Sequence, residues 1–159
     1  MVELYAILDN IRSLHNVGSI FRTADAFGFK KIYLCGFTPA PIGVRQKREI
    51  HKTALGAEEF IAWEKSGKIS RLLEKLKKDG FYIIGLELAK KAVDLNKFKL
   101  SASQHKKKIV LIVGHERQGV SKKTLQKCDK IIQIPMVGRK ESLNVSVAFG
   151  IAAFCLKNC

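Results

Sequence analysis

The amino-acid sequence predicts an α/β domain, a mostly parallel sheet with helices on both faces. Short apolar runs rich in β-branched residues alternate with amphipathic stretches along the chain, the pattern of strands buried on both faces and joined by crossover helices. No internal repeat, low-complexity segment or linker divides it, so residues 1–159 are expected to form a single domain. That length buries a core without metals or disulfides.

The elements follow in order. Leu4–Leu8 forms the first expected strand, after a start that lacks the basic residues and cleavage pattern of a signal peptide. Gly18 and Ser19 suit a tight turn into a helix over Gly18–Phe27, with Ile20, Ala24 and Phe27 on its buried side. Lys31–Cys35 is the second strand, and Pro39 and Pro41 punctuate the loop beyond it. A helix over Gln46–Leu55 presents several cations together and leads to a strand at Phe60–Trp63. The helix Ile69–Lys78 ends before Gly80, and the strand Tyr82–Glu87 runs into a polar stretch. Ile109–Val113 is a β-branched strand leading to Gly114 and Gly119; the helix Lys122–Lys127 and the strand Lys130–Pro135 follow. A polar turn holding Gly138, Arg139, Lys140 and Glu141 then enters a helix over Leu143–Leu156 that is apolar nearly all round. Such a helix must be covered on every side, by its own sheet or by a second subunit.

The charge points to a polyanionic partner. Twenty-nine basic residues stand against 14 acidic ones, a net +15, and attraction to polyphosphate is its simplest cause. The cations cluster at Arg45–Arg48, Lys75–Lys78 and His105–Lys108 and form no detachable tail, so the charge belongs to the folded body. No apolar run reaches the roughly 18 residues of a membrane span. Cys35, Cys128, Cys155 and Cys159 lack C-x-x-C spacing and are read as reduced thiols of a cytoplasmic protein, neither a zinc site nor a disulfide frame.

Chemistry is expected in two places. Ligands of open α/β sheets collect at the carboxyl ends of strands, which nominates Leu86 and Glu87. A strand, a polar loop and a helix N-terminus meet around Ser142 and Asn144, where side chains reach the first free backbone N–H groups. This is a natural place for a polar or anionic ligand. The Gly114-x4-Gly119 spacing brushes against a phosphate loop, but Val120 stands where that loop needs lysine, which excludes nucleoside triphosphate hydrolysis. His51 is a lone histidine and is not assigned to catalysis.

The run from Ile134 to Ala148, Ile-Pro-Met-Val-Gly-Arg-Lys-Glu-Ser-Leu-Asn-Val-Ser-Val-Ala, resembles the third motif of the SpoU (TrmH) family. These are RNA ribose 2′-O-methyltransferases of the SPOUT class. His15-Asn-Val-Gly-Ser-Ile-Phe-Arg-Thr-Ala resembles the first motif, with Asn16, Gly18 and Arg22 at the matching positions. Gly114-His-Glu-Arg-Gln-Gly-Val-Ser121 resembles the second, with His115 where asparagine is commoner, and Lys52–Ala57 is similar to a further family segment. The three motifs stand in family order over most of the chain.

The resemblance implies a C-terminal segment threaded into a deep trefoil knot, which composition and periodicity do not foretell, because chains almost never thread loops. It also implies a homodimer with sites near the subunit interface, and transfer of a methyl group from S-adenosylmethionine to a ribose 2′-hydroxyl. The catalytic set it implies is Asn16, Arg22, Glu116, Ser142 and Asn144, with Leu86, Glu87, Gly114, Ile134, Met136 and Leu143 around the donor. Arg22, Arg45, Lys47, Arg48 and Lys52 are the expected RNA contacts. An arginine with a pKa above about 12 is a poor proton acceptor, so Arg22 is expected to grip a neighbouring phosphate with its forked donors. The chain starts directly at its first strand, with no N-terminal RNA-binding extension expected, and minimal members of this size favour tRNA over rRNA. A catalytically inactive RNA-binding module and a SPOUT-class base methyltransferase remain the alternatives; the triplet Ser142-Leu143-Asn144 argues for ribose chemistry.

Overall fold

The computed structural model describes residues 2–104 and 108–158, so His105, Lys106, Lys107 and Cys159 of the basic and cysteine sets lie outside the described residues. The strands are β1 (Glu3–Asp9), β2 (Lys31–Cys35), β3 (Ala62–Ser66), β4 (Tyr82–Leu86), β5 (Val93–Asp94), β6 (Lys108–Val113) and β7 (Lys130–Gln133). They form one sheet in the order β3-β2-β1-β6-β4-β7-β5, and every pairing is parallel. The helices are α1 (Leu14–Ala26), α2 (Val44–Ala54), α3 (Ala57–Phe60), α4 (Ile69–Lys78), α5 (Lys122–Gln126) and α6 (Val145–Asn158), with a 3-10 turn at Leu95–Lys97.

Alternation along the central strands divides the core in two. Leu4, Ala6 and Leu8 of β1, with Ile109, Leu111 and Val113 of β6, join the cluster built with α1, α2 and α6. Ile7, Val110 and Ile112 face the other way, onto Leu72, Leu73 and Leu76 of α4, with Leu125 of α5 packed against that cluster. Both faces are covered, so side chains of period two are apolar at every position and the strands read as continuous hydrophobic runs.

Four expectations change. The first helix starts at Leu14, four residues early, because Ser13 accepts the Asn16 N–H at 3.2 Å and caps it. Gly18 therefore lies inside the helix, where a Cβ would stand 2.1 Å from Thr53 Oγ1 and 2.3 Å from the Ile50 carbonyl oxygen; it is a packing glycine that lets α1 and α2 approach. Phe60 is helical and exposed, and the strand expected at Phe60–Trp63 sits at Ala62–Ser66. The cause is a turn at Gly56 (φ 97°), whose N–H donates to Glu58 at 3.0 Å and starts α3. Last, β7 stops at Gln133 and α6 starts at Val145, leaving Ile134–Asn144 as one long connection.

The last helix is covered on one side. Phe149, Ala152, Ala153 and Leu156 are buried, and Thr23 of α1 and Phe27 just after it meet Gly150 and Phe154. Val147, Ile151 and Phe154 stay exposed at 50%, 39% and 57%; spaced i, i+4, i+7, they form one stripe. Among the described residues no helix is long and apolar enough to cross a membrane.

Candidate active site

A cavity opens where β4, β6 and β7 end. Leu86, Glu87 and Leu88 line it from β4, Val113 to Gly119 from β6, and Gln133, Ile134 and Met136 from β7. Ser142, Leu143, Val145 and Ala148 close it from the start of α6. All strands are parallel, so the loops after these three neighbours emerge on one edge, the usual ligand edge of such a sheet.

The loop after β6 is folded tightly onto itself. The Gly119 N–H donates to the His115 carbonyl at 2.8 Å. A Cβ on Gly114 would lie 2.4 Å from the Gly119 carbonyl oxygen, and one on Gly119 (φ 67°) would lie 2.0 Å from Glu87 Oε2. Both glycines are thus required by contacts within the protein. Glu87 Oε2 accepts the Val120 N–H at 2.7 Å and Oε1 accepts that of Leu88 at 3.0 Å, so this carboxylate anchors the loop to β4. His115 Nδ1 accepts the N–H groups of Arg117 and Gln118 at 3.1 and 3.2 Å, the turn-closing task an asparagine side chain performs.

Three residues distant in sequence meet beside the cavity. Glu116 accepts the Arg12 N–H in both oxygens at 3.1 Å, the Ser13 N–H at 3.0 Å and Asn16 Nδ2 at 3.2 Å. Asn144 Nδ2 donates to Asn16 Oδ1 at 3.1 Å. Asn144 Oδ1 accepts the Ser146 N–H at 2.9 Å and its hydroxyl at 2.6 Å, so Asn144, one residue before the helix, caps α6. Burial acts to raise the Glu116 carboxyl, but the bonds from Ser13, Arg12 and Asn16 outweigh it and hold the group below its usual value. Burial pushes the Cys35 and Cys128 thiols up to about 12, which removes both as nucleophiles.

The sequence pattern described as the SpoU rRNA Methylase family matches residues 3–154. The chain belongs to that family. It is 34% identical over 148 residues to a putative TrmH family tRNA/rRNA methyltransferase of Staphylococcus aureus (strain COL), covering 93% of this chain and 56% of the relative. It is 32% identical over 151 residues to the 23S rRNA (guanosine-2′-O-)-methyltransferase RlmB of Coxiella burnetii, covering 95% and 56%. The chain thus spans a little over half the length of these curated relatives. Among solved structures, the A. aeolicus TrmH/SpoU tRNA modifying enzyme superposes with a TM-score of 0.83 at 31% identity, covering 99% of this chain and 75% of that one. An AdoMet-bound rRNA methyltransferase from Sinorhizobium meliloti gives 0.84 at 27%, covering 98% and 56%.

The expected SpoU residues fall into three groups. Leu86, Glu87, Gly114, Ile134, Met136 and Leu143 all line the cavity, as do Glu116 and Ser142. Asn16 and Asn144 are joined through their amides, and Asn16 is bonded in turn to Glu116. Arg22 is exposed, does not line the cavity and has no polar partner among the described residues; six residues after Asn16, it lies about 240° round the helix. The cations of α2 also differ. Arg48 and Lys52 pair with Glu49 at 3.3 and 2.9 Å and Lys47 approaches Glu59 at 3.7 Å, whereas Arg45 has no ion-pair partner among the described residues. Sequence reasoning missed Gln133, whose Nε2 donates to Asp94 at 2.9 Å, and Arg12, whose only signal was its place between the first strand and first motif.

Proposed function

We propose that this chain transfers a methyl group from S-adenosylmethionine to a ribose 2′-hydroxyl of structured RNA, with tRNA favoured over rRNA. The observation that carries this is the convergence of the β4, β6 and β7 loops and the α6 N-terminus on one cavity, with Asn16, Glu116 and Asn144 braced at its side. The lean to tRNA draws on the A. aeolicus tRNA modifying enzyme, of which this chain covers 75%.

The cavity lining suits the donor. Leu86, Ile134, Met136, Leu143 and Val145 offer apolar surface for a purine, and Gln133 offers an amide to polar edges. The carboxylates of Glu87 and Glu116 give a cationic sulfonium a favourable surrounding. When bound, the donor supplies a methyl group already activated for transfer. The protein's part is therefore to orient the nucleophile and help remove its proton. Backbone groups at Gly114, Ile134, Met136 and Leu143 hold adenine and ribose. The Ser142 hydroxyl, which has no hydrogen bond among the described residues, orients the attacking hydroxyl. Asn16, Glu116 and Asn144 keep α1, the β6 loop and α6 in register around it.

Arg22 grips an RNA phosphate next to the target ribose, from the exposed surface of α1. A homodimer formed through the exposed stripe of Val147, Ile151 and Phe154 would cover that stripe. The C-terminal trefoil knot belongs to the same reading: β7 lies between β4 and β5, which are consecutive in the chain, and α6 then returns to α1. The protein works in the cytoplasm, where RNA and reduced thiols belong. Incubation with labelled S-adenosylmethionine and separate unmodified tRNA and rRNA pools tests the proposal. Label in one pool, lost in Ser142→Ala and Arg22→Ala, is expected; no label in either pool despite donor binding would contradict it.

A further inference from the structure

Next to the donor cavity runs an open cleft lined by Arg12, Leu14, Phe37, Pro39, Arg45 and Gln46. Its unusual feature is Phe37, an aromatic side chain 58% exposed. A single exposed apolar residue is ordinary, but the backbone carrying this one is fixed from several directions. The Phe37 N–H donates to Asn10 Oδ1 at 3.2 Å. Next to it, Thr38 Oγ1 accepts the Ile11 N–H at 3.0 Å and donates to the Leu8 carbonyl at 2.8 Å. Lys65 Nζ donates to the Gly36 carbonyl at 2.8 Å and also to that of Thr38. The fold thus holds a rigid backbone beneath an aromatic ring that it leaves in solvent.

Its neighbours give the ring a purpose. Phe37 meets the His115 ring edge to face, centroids 6.0 Å apart, and His115 lines the donor cavity. Arg12 and Arg45 flank the cleft with no ion-pair partner among the described residues, and the Arg12 N–H is held by Glu116. An exposed aromatic ring sharing a cleft with two guanidiniums that have no ion-pair partner among the described residues is the combination that binds single-stranded nucleic acid, the ring taking a base and the cations its phosphates.

We propose that Phe37 is a stacking platform for an unpaired base of the RNA substrate, with Arg12 and Arg45 holding the adjoining phosphates, so that a nucleotide is seated beside the ribose presented to the donor cavity. The inference deepens the RNA reading above and rests on it. It assigns to the loop after β2 the positioning of single-stranded RNA, and places target selection partly outside the three family motifs. Phe37 acts through the RNA and touches no reacting atom.

The test is fluorescence anisotropy with a labelled single-stranded oligoribonucleotide of mixed sequence and with an abasic oligoribonucleotide of the same length. For Phe37→Ala the expected result is an RNA Kd raised about tenfold for the base-containing strand, an unchanged Kd for the abasic one, and recovery in Phe37→Tyr. Donor affinity by calorimetry and the melting temperature should match the wild type. Equal losses on both strands, or none on either, would overturn the platform. Wild-type protein that methylates RNA while Phe37→Ala binds both strands normally leaves the methyltransferase reading intact and removes only the platform. Wild-type protein that methylates nothing, with the base-specific loss still present, does the reverse.

Discussion

Asn16 and Glu116, a hundred positions apart, meet with Asn16 Nδ2 donating to Glu116 Oε1 at 3.2 Å. The other end of the same amide, Oδ1, accepts from Asn144. A carboxylate can only accept while ionised, so the amide has one orientation. Replacing Asn16 by Asp sets one carboxylate against another. Asn16→Asp is expected to lose about 1–3 kcal/mol of stability at neutral pH. The deficit should shrink as urea unfolding is repeated toward pH 4, where one carboxyl takes up a proton.

Glu116 itself imposes a pH dependence of the opposite kind. Its folded carboxyl lies below the ordinary value, against the direction burial pushes it, because N–H donors surround it. The stability it contributes is therefore complete above the unfolded value of about 4.3 and is lost as pH falls through the folded one. Glu116→Gln should be less stable than wild type by about 2 kcal/mol at pH 7, with the two unfolding curves converging below about pH 4.

The cations of α2 should not weigh equally. Arg45 has no ion-pair partner among the described residues, while Lys52 and Arg48 share Glu49, whose carboxyl is lowered to about 2, first by the Lys52 hydrogen bond. Arg45→Ala is expected to reduce the slope of log affinity for RNA against log salt by about one. Lys52→Ala should reduce it by less, because that lysine must leave Glu49 to reach a phosphate. Filter binding across a salt series measures both.

Phe154 gives the simplest test of assembly. It is 57% exposed on α6 and touches Phe27 at 6.0 Å between ring centroids. Phe154→Glu should keep the far-ultraviolet circular dichroism of the wild type while light scattering shows a dimer converted to monomer. Wild-type protein that is already monomeric would remove the dimer from the proposal.

The sheet was legible because burial on both faces makes each strand a run such as Ile109–Val113, which no polar residue interrupts. The loops were less so. The α1 start was set by Ser13, a cap visible in the sequence but overshadowed by Gly18, whose purpose depends on Thr53 and Ile50 from another helix. Likewise the spacing of Gly114 and Gly119 brushes against a phosphate loop, and only the fold reveals Glu87 and the loop backbone packed where their side chains would stand. Asn16 and Glu116 came from resemblance and Asn144 also from its place at the start of the last helix; their mutual bonds depend on a topology that no local pattern encodes. Phe37 carried no motif at all, since exposure is a property of the folded chain.

The central proposal stands on where the methyl group lands. After incubation with S-adenosylmethionine and unmodified RNA, the RNA is digested to nucleosides and separated by mass spectrometry. A 2′-O-methylnucleoside, carrying the added mass on its ribose fragment and absent with Ser142→Ala, is the predicted result. The added mass on the base fragment would contradict ribose transfer.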